Sequence, residues 1–176
     1  AKKHMDSPDK ISVEEYVEKS KLKQLYYDVK GNEKLSLLTH LLERDMTGLV
    51  MVFCNTQKTV NFVAKNLRKQ GFDAIPIHGG FSQAKRTRTM KNFNNGKAQI
   101  LVCTDVAARG LHIENITHIY NYDIPNNSKQ YIHRIGRTAR VGEKGKAVNL
   151  LAQKDHANMV FFFKQKTAYE VHSGDW

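Results

Sequence analysis

The sequence lacks the long hydrophobic runs and the cysteine pairs that mark membrane or secreted proteins. No apolar stretch approaches the roughly 20 residues needed to cross a bilayer, so membrane insertion is not expected. Two cysteines, Cys54 and Cys103, lie inside apolar strand-like runs without CxxC spacing, which favours buried reduced thiols. The first residues contain no apolar signal core. We therefore expect an intracellular protein, in the cytoplasm, nucleus or nucleolus, without a metal site.

Motifs of several common enzyme classes are also absent. There is no GxxxxGK[ST] phosphate loop, because the run at residues 142–147 has the wrong spacing and no hydroxyl after its lysine. GxGxxG, HExxH and GxSxG are not found either, which leaves dinucleotide, zinc-protease and serine-hydrolase functions without support. Cys103 with His133 would suit a thiol nucleophile and its base, but a cysteine inside a strand more often serves packing.

Acidic residues are scarce relative to basic ones. The chain has 28 lysines and arginines against 17 aspartates and glutamates, a formal net charge of +11. Such an excess indicates a polyanionic partner, with nucleic acid as the first candidate. An anionic membrane surface is an alternative, but no long helix pairs a basic face with a bulky apolar face. At 176 residues the chain is long enough for one domain with a full core.

The apolar pattern alternates between strand-like and helical segments. Continuous apolar runs at residues 49–54 and 98–103 predict strands covered on both faces, and the stripe at residues 60–67 predicts a helix. This alternation over short loops predicts an α/β domain with a doubly wound, mainly parallel sheet flanked by helices. The expected divisions are a flexible tail or linker at residues 1–20, the domain at residues 21–160 and an unassigned segment at residues 161–176.

A short strand is also predicted at residues 74–77, and polar clusters follow all three of these strands, at Asn55–Thr56, His78–Gly80 and Thr104–Asp105. Because the carboxyl ends of parallel strands meet at one edge of the sheet, these clusters should lie side by side, where ligands of such sheets bind. Exposed backbone N–H groups and helix N-termini there suit phosphate oxygens. Capping and turn preferences explain any one of these loops equally well. Three such loops in a strongly basic chain favour a surface that follows phosphates.

A dense cluster of cations lies near the end of the predicted domain. If residues 128–138 form a helix, then His133, Arg134 and Arg137 fall within about two turns, with Arg140 just beyond. Guanidinium groups suit phosphates and carboxylates better than lysine does. The alternative is a solvated basic helix end that complements the helix macrodipole, and charge alone does not separate the two.

Four ordered motifs resemble those of the second RecA-like domain of DEAD-box RNA helicases. They are Val-Phe-Cys-Asn-Thr at 52–56, His-Gly-Gly with Gln-x-x-Arg at 78–86, Leu-Val-Cys-Thr-Asp-Val-Ala-Ala-Arg-Gly at 101–110 and His-Arg-Ile-Gly-Arg-Thr-Ala-Arg at 133–140. Any one of them is weak, but their order within one α/β pattern makes the resemblance specific. It covers roughly residues 22–155 and implies a RecA-like fold.

The resemblance also implies a division of labour. Arg137 and Arg140 would act as arginine fingers on ATP, which is held with Mg²⁺ mainly by the first RecA-like domain. Gly110 and His112 would also contact the nucleotide. The residues implied to contact the RNA sugar-phosphate backbone are Asn55, Thr56, Gly79, Gly80, Arg86 and Thr104. Those implied to couple the two sites across the domain cleft are Asp105, Arg109, His133 and Arg134.

The sequence contains neither the Walker A loop nor the DEAD sequence of that first domain. The resemblance therefore implies that the full-length protein is an RNA helicase and ATPase, whereas this segment alone is inactive. Its implied partners are RNA and the first RecA-like domain, and we expect the segment itself to be monomeric. Two alternatives remain open. One is a stand-alone RNA-binding or adaptor module with the same fold, and the other is a small α/β nucleotide-binding enzyme, although the phosphate loop is missing.

Three features depart from the family pattern. His112 replaces the aspartate that accepts hydrogen bonds from the ATP ribose, so nucleotide binding should be weaker or pH-dependent. Ala139 replaces the usual glycine, which is harmless unless the backbone there needs a positive φ. The end of the chain, beginning with three phenylalanines at residues 161–163, follows no family pattern.

Overall fold

The computed structural model describes residues 21–111, 113–139 and 144–156 and the short strand at 171–173. The strands are β1 (Leu22–Asp28), β2 (Leu49–Phe53), β3 (Ala74–Ile77), β4 (Ile100–Cys103), β5 (Ile116–Asn121), β6 (Gly145–Leu151) and β7 (Val171–Ser173). The helices are α1 (Lys34–Asp45), α2 (Gln57–Lys69), α3 (Gln83–Asn94), α4 (Asp105–Ala108) and α5 (Ser128–Ile135).

The described strands form one sheet in the order β3-β4-β2-β5-β6-β1-β7, and every neighbouring pair is parallel. The predicted α/β class with a mainly parallel sheet flanked by helices is therefore confirmed. The short strand β7 lies within the segment left unassigned by the sequence and pairs with β1. The tail at residues 1–20 and the three phenylalanines at 161–163 lie outside the described residues.

Helices cover both faces of the sheet because its central strands are apolar on both sides. All four residues of β4, and the last four of β2, are buried. One face packs against the leucines of α1 and the apolar stripe of α2. The other face packs against α3, α4 and α5, which contribute Phe93, Ala107 and Tyr131 among others. With both faces closed, polar chemistry is left to the two edges where the strands begin and end.

Side-chain hydrogen bonds mark the starts of α2 and α3. The hydroxyl of Thr56 accepts a hydrogen bond from the N–H of Thr59 at 3.0 Å, and Ser82 accepts one from the N–H of Lys85 at 3.4 Å. These contacts satisfy first-turn N–H groups that have no partner inside a helix. Gly71, at φ +90°, follows the last turn of α2, where glycine adopts the left-handed conformation without a steric penalty.

Strand register brings the three predicted polar clusters to one edge. Phe53, the last residue of β2, pairs with Cys103 of β4, which in turn pairs with Ile77 of β3. Phe53 also pairs with Asn121, the last residue of β5. The loops that follow these strands therefore start side by side. This carboxyl edge is where the candidate site lies.

Helix α5 is shorter than expected. It ends at Ile135 rather than at residue 138, with Gly136 as its C-terminal cap. Two tighter turns follow, in which Arg137 N–H donates to the carbonyl of Arg134 and Thr138 N–H to that of Ile135. The next residue, Ala139, has φ +55°. The backbone at the position where the family has glycine does need a positive φ.

Among the described residues, no helix combines the length and the apolar composition needed to span a bilayer.

Candidate functional site at the carboxyl edge of the sheet

Arg134 lies at the centre of the carboxyl edge and is not part of a solvated helix end. Its side chain is 1% exposed. The Nε and Nη2 atoms donate to Oδ1 and Oδ2 of Asp105, both at 2.7 Å. Two parallel bonds to one carboxylate fix the planes of both groups as well as their separation.

The same guanidinium joins the loops that follow two further strands. Nη2 also donates to Oδ1 of Asn55 at 2.8 Å. Nη1 donates to Oδ1 of Asn121 at 3.1 Å and to the carbonyl of Asp123 at 2.6 Å. These bonds occupy all five guanidinium N–H groups. One buried cation thus ties together the carboxyl ends of β2, β4 and β5.

Asn55 is held in this cluster from both ends. Its backbone N–H donates to Oδ2 of Asp123 at 2.9 Å, and its Nδ2 donates to the carbonyl of Ile124 at 2.8 Å. Because Oδ1 accepts from Arg134, the side-chain amide of Asn55 already has partners within the domain on both sides. Asp123, which the sequence analysis did not select, contributes to the site by holding this loop in place.

Thr56 and Thr104 both act as helix N-caps. Thr56 is exposed at the start of α2, while Thr104 is 8% exposed and accepts a hydrogen bond from the N–H of Ala107 at 3.4 Å. Capping was the structural alternative for these residues, and it holds for both. It does not remove the phosphate hypothesis for α2, whose positive dipole end still faces the edge at Thr56.

The loop after β3 is shaped by a buried histidine. His78 is 6% exposed, its Nδ1 accepts a hydrogen bond from Gly80 N–H at 3.2 Å, and its Nε2 lies 3.2 Å from Oδ1 of Asn61. This pair of contacts fits the neutral ring with its hydrogen on Nε2. Burial, and then the charge of Lys85, hold the pKa of His78 below its ordinary value. Gly79 and Gly80 are exposed, so their backbone is accessible at the edge.

Arg86 connects α3 to α4. The side chain is half-buried, and its Nη2 donates to the carbonyl of Ala107 at 3.3 Å. The first turn of α3 is thereby held against α4. All six residues implied to contact RNA therefore lie along the carboxyl edges of β2, β3 and β4.

Arg137 lies in the turns after α5, where its side chain is half-buried. Its Nη1 donates to the carbonyl of Leu111 at 3.1 Å. The preceding Gly110 has φ +76°, and no atom lies within 4 Å of the place where a Cβ would stand. Arg137 thus contacts the residue that follows Gly110, so two residues implied to contact nucleotide lie near each other. Arg140 and His112 lie outside the described residues.

The structure joins only part of the set implied to couple the two sites. Asp105 and Arg134 form the bidentate pair, whereas the side chains of Arg109 and His133 are exposed. No hydrogen bond among the described residues links those two side chains to the Arg134 cluster. Surface position leaves them accessible to another domain or to RNA.

A buried polar chain, absent from the sequence analysis, continues from Arg134 through the sheet. Nδ2 of Asn121 donates to Oδ1 of Asn149 at 2.8 Å, and Nδ2 of Asn149 lies 3.3 Å from the hydroxyl of Tyr131. That hydroxyl donates to Oε1 of Gln24 at 2.6 Å. The sequence offered one signal for this chain, because Asn121 and Asn149 stand among apolar residues of their strands. A polar side chain buried there requires a hydrogen-bond partner.

The cysteines take no part in this site. Both are free and buried, and burial raises the pKa of the Cys54 and Cys103 thiols well above the ordinary range. A thiolate nucleophile is disfavoured in such surroundings. Within the described ranges, no group of three or more His, Cys, Asp or Glu side chains is arranged to hold a metal ion.

Comparison with known proteins places the chain in a family. Residues 33–142 match the model of the helicase conserved C-terminal domain. The ATP-dependent RNA helicase RhlB of Xanthomonas oryzae pv. oryzae is 41% identical over 155 residues, which make up 88% of this chain and 27% of that protein. The chain thus spans about a quarter of the length of this curated relative.

Solved structures agree with the sequence match. The E. coli DEAD-box protein SrmB, bound to regulator of ribonuclease activity A, superposes with a TM-score of 0.84 at 34% identity, covering 89% of this chain and 92% of that one. S. cerevisiae Dbp5 bound to RNA and ADP BeF3 gives a TM-score of 0.82 at 31% identity, covering 87% of this chain and 41% of that one. From the family model, the identities and the shared fold, the chain belongs to the DEAD-box helicases and is their C-terminal RecA-like domain.

Proposed function

We propose that the complete protein is an ATP-dependent RNA helicase in which this domain serves both substrates. Along the carboxyl edge, Asn55, Thr56, Gly79, Gly80, Arg86 and Thr104 present a surface for the RNA sugar-phosphate backbone. Arg137, which lies in the turns after α5, would act with Arg140 on an ATP held mainly by the first RecA-like domain. The whole-protein activity of the relatives supports this proposal, since RhlB is named an ATP-dependent RNA helicase.

The observation that carries the proposal is the Arg134 cluster. Its five hydrogen bonds connect the loop at Asn55 to Asp105 and to the end of β5. Arg137 follows Arg134 by three residues, and its backbone N–H donates to the carbonyl of Arg134. A rigid unit therefore underlies both the RNA-facing loops and the nucleotide-facing arginine. In this proposal Asp105 and Arg134 couple the two sites, and the exposed side chains of Arg109 and His133 contact the first domain.

The residues near Arg137 fit an anionic nucleotide. Open backbone at Gly110 permits close approach, and the contact of Arg137 with the Leu111 carbonyl orients the guanidinium. When bound, ATP with Mg²⁺ supplies the phosphoryl group whose hydrolysis drives the cycle, and Mg²⁺ is held mainly by the first domain. Arg137 would stabilise charge that develops on that group. By this proposal the isolated domain, which lacks the first domain, neither hydrolyses ATP nor unwinds RNA.

The test is Arg137→Lys in the complete protein, measured as RNA-stimulated ATP turnover and as RNA affinity. We expect kcat to fall by about 10³-fold or more, because lysine cannot replace a guanidinium fork on the phosphoryl group, while the Kd for RNA changes less than about twofold. Arg44→Lys, far from this edge, is the matched control and should leave both values unchanged. An unchanged kcat for Arg137→Lys would instead favour the RNA-binding or adaptor module.

A further inference from the structure

The positive charge of this domain is concentrated at one end of the sheet. Residues 57–97, which form α2, β3 and α3, contain nine lysines and arginines and a single acidic residue, Asp73. Their net charge of +8 accounts for most of the +11 of the whole chain. The segment surrounds β3, the edge strand of the sheet. This end of the molecule therefore carries a one-signed field.

Ion pairing distinguishes this end from the rest of the domain. The other described residues hold 12 lysines and arginines with 8 acidic residues, and their side chains form every ion pair found in the described structure. None of the nine cations between residues 57 and 97 pairs with a described acidic side chain. A surface that is merely solvated usually mixes both signs, as the rest of this domain does. The unpaired cations indicate an anionic partner.

Helix α3 displays these cations as a continuous stripe. Lys85, Arg88 and Lys91 are exposed and follow one another at three-residue spacing, and Phe93 is the buried residue on the opposite side. At 1.5 Å per residue the stripe spans about 9 Å, which is long enough to contact more than one phosphate of a strand. Lys97 continues it beyond the end of the helix.

The α3 stripe, Lys85, Arg88 and Lys91, is continuous with the RNA-facing edge. Gly79 and Gly80 lead directly into α3, and Arg86 lies in its first turn. Lys85 is held at the start of the stripe by its ammonium group, which lies 3.7 Å from the centre of the Phe81 ring. RNA leaving the carboxyl edge at the glycines would therefore meet the stripe first.

We propose that the α3 stripe is a second RNA-backbone site, which binds the strand beyond the carboxyl edge and lengthens the RNA footprint of this domain. The proposal rests on the proposed RNA-binding function and extends it to Arg88 and Lys91, outside the four family motifs, and to Lys85, a variable position of the Gln-x-x-Arg motif. The exposed lysines of α2, Lys58, Lys65 and Lys69, are less suited to phosphates. There the exposed lysines surround Phe62, which is 50% exposed, whereas the exposed side of α3 carries only small or polar side chains.

The experiment measures RNA binding to the 176-residue chain by fluorescence anisotropy across a range of salt concentrations. The α3 variant carries Lys85→Gln, Arg88→Gln and Lys91→Gln. On a single-stranded RNA of about 20 nucleotides, we expect the slope of log K against log salt to become shallower by about 2, since each lost phosphate contact removes about 0.7. Affinity at low salt should fall about tenfold or more. On an RNA of about six nucleotides the effect should be smaller than threefold.

Two variants with the same loss of charge serve as controls. The first changes Lys23, Lys30 and Lys154 to Gln, all exposed at the β1 end of the sheet. The second changes Lys58, Lys65 and Lys69 to Gln on α2. Both should keep most of the wild-type slope, and thermal melting should show that all three variants are folded. Equal losses in the α3 and control variants would overturn the proposal, because net charge alone would then explain the effect.

Other outcomes distinguish failure of the α3-stripe proposal from failure of the proposed RNA-binding function. If the α3 variant binds the long RNA like wild type but loses binding to a polyglutamate peptide, the stripe serves an acidic protein and the proposal is wrong. If wild type binds neither RNA, the RNA-binding part of the proposed function fails as well. If the α3 variant binds both the short and the long RNA as wild type does, the proposal for the α3 stripe is wrong, while RNA binding at the carboxyl edge still stands.

Discussion

Arg134 and Arg137 are three residues apart, yet they occupy different environments. Arg134 is buried with all five N–H groups bonded, whereas Arg137 is half-buried in a turn beside open backbone. A buried guanidinium is tolerated only with a carboxylate and enough further acceptors, which Asp105, Asn55, Asn121 and Asp123 provide. Substitution of Arg134 therefore tests the fold, and substitution of Arg137 tests function.

Ala139 is a second residue whose surroundings decide how a substitution would change stability. It adopts φ +55°, which costs an L-residue with a Cβ about 1–2 kcal/mol. A Cβ on Gly145 would lie 2.6 Å from the backbone N of Ala139, so the turn is pressed against the start of β6. Little room remains for the turn to relax.

We predict that Ala139→Gly changes the free energy of unfolding by less than about 1 kcal/mol. Relief of strain, about 1–2 kcal/mol, opposes the loss of a buried methyl, about 0.8 kcal/mol, and the chain entropy of glycine, about 0.5–1 kcal/mol. Ala107→Gly is the matched control, because Ala107 is equally buried in the same cluster but has no positive φ. Urea denaturation should show a loss of about 1.5 kcal/mol there. Equal losses in both variants would mean that Ala139 is unstrained.

At the scale of elements, α5 carries two faces of the site. Its Arg134 reaches the carboxyl edge, and one turn earlier Tyr131 reaches the buried polar chain with Gln24 and Asn149. The helix stops at Gly136, which frees Arg137 to leave the helical path. The position of α5 against β1, β5 and β6 is therefore set by hydrogen bonds inside an otherwise apolar layer.

Tyr131→Phe should lower the free energy of unfolding by about 1–2 kcal/mol, as measured by urea denaturation. The change removes one hydroxyl and leaves Oε1 of Gln24 buried without its donor, while Nε2 of Gln24 already lacks a partner among the described residues. A buried amide with neither end bonded is costly.

Tyr120→Phe provides the contrasting control. The Tyr120 hydroxyl is also buried, but it has no hydrogen-bond partner in the described structure, and burial raises its pKa above the ordinary range. Removing that hydroxyl should be neutral or stabilising by up to about 1 kcal/mol. If Tyr120→Phe were the more damaging of the two substitutions, the buried polar chain would not position α5 as described.

At the scale of the whole molecule, two buried histidines lie in separate regions. His78 shapes the loop after β3, and His118 lies within β5, 8% exposed, beside Thr117. Burial is the main reason that the pKa of each lies below the ordinary value of 6.5. Unfolding exposes both rings to water, where they bind protons more readily than in the folded domain.

Stability should therefore fall as the pH drops below about 6.5. The unfolded chain takes up protons at the two histidines before the folded chain does, which contributes up to about 1.4 kcal/mol per pH unit for each group. The check is the urea midpoint between pH 7.5 and 5. His78→Gln with His118→Gln should flatten that dependence, while His40→Gln, which alters an exposed histidine on α1, should not. An equal slope in wild type and the double variant would rule this origin out.

Local patterns predicted most of the elements and the edge on which the site lies. Continuous apolar runs predicted β2 and β4, an apolar stripe predicted α2, and the motif residues fell along one carboxyl edge. These features depend on periodicity, on capping and on the parallel alignment of strands, and residues close together in the sequence determine each of them. The sequence alone thus determined the fold class and family.

Only the tertiary structure decided which cation is buried and which polar groups meet. Arg134 and Arg137 lie in the same short basic stretch of sequence. Arg134 alone is fully buried, because Asp105, Asn55 and Asn121 converge on it from the ends of other strands. Pairing across 13 to 79 residues of sequence leaves no periodic signal. The positive φ of Ala139 likewise depends on the contact with β6. Burial and long-range partners, which no local pattern encodes, fixed the site.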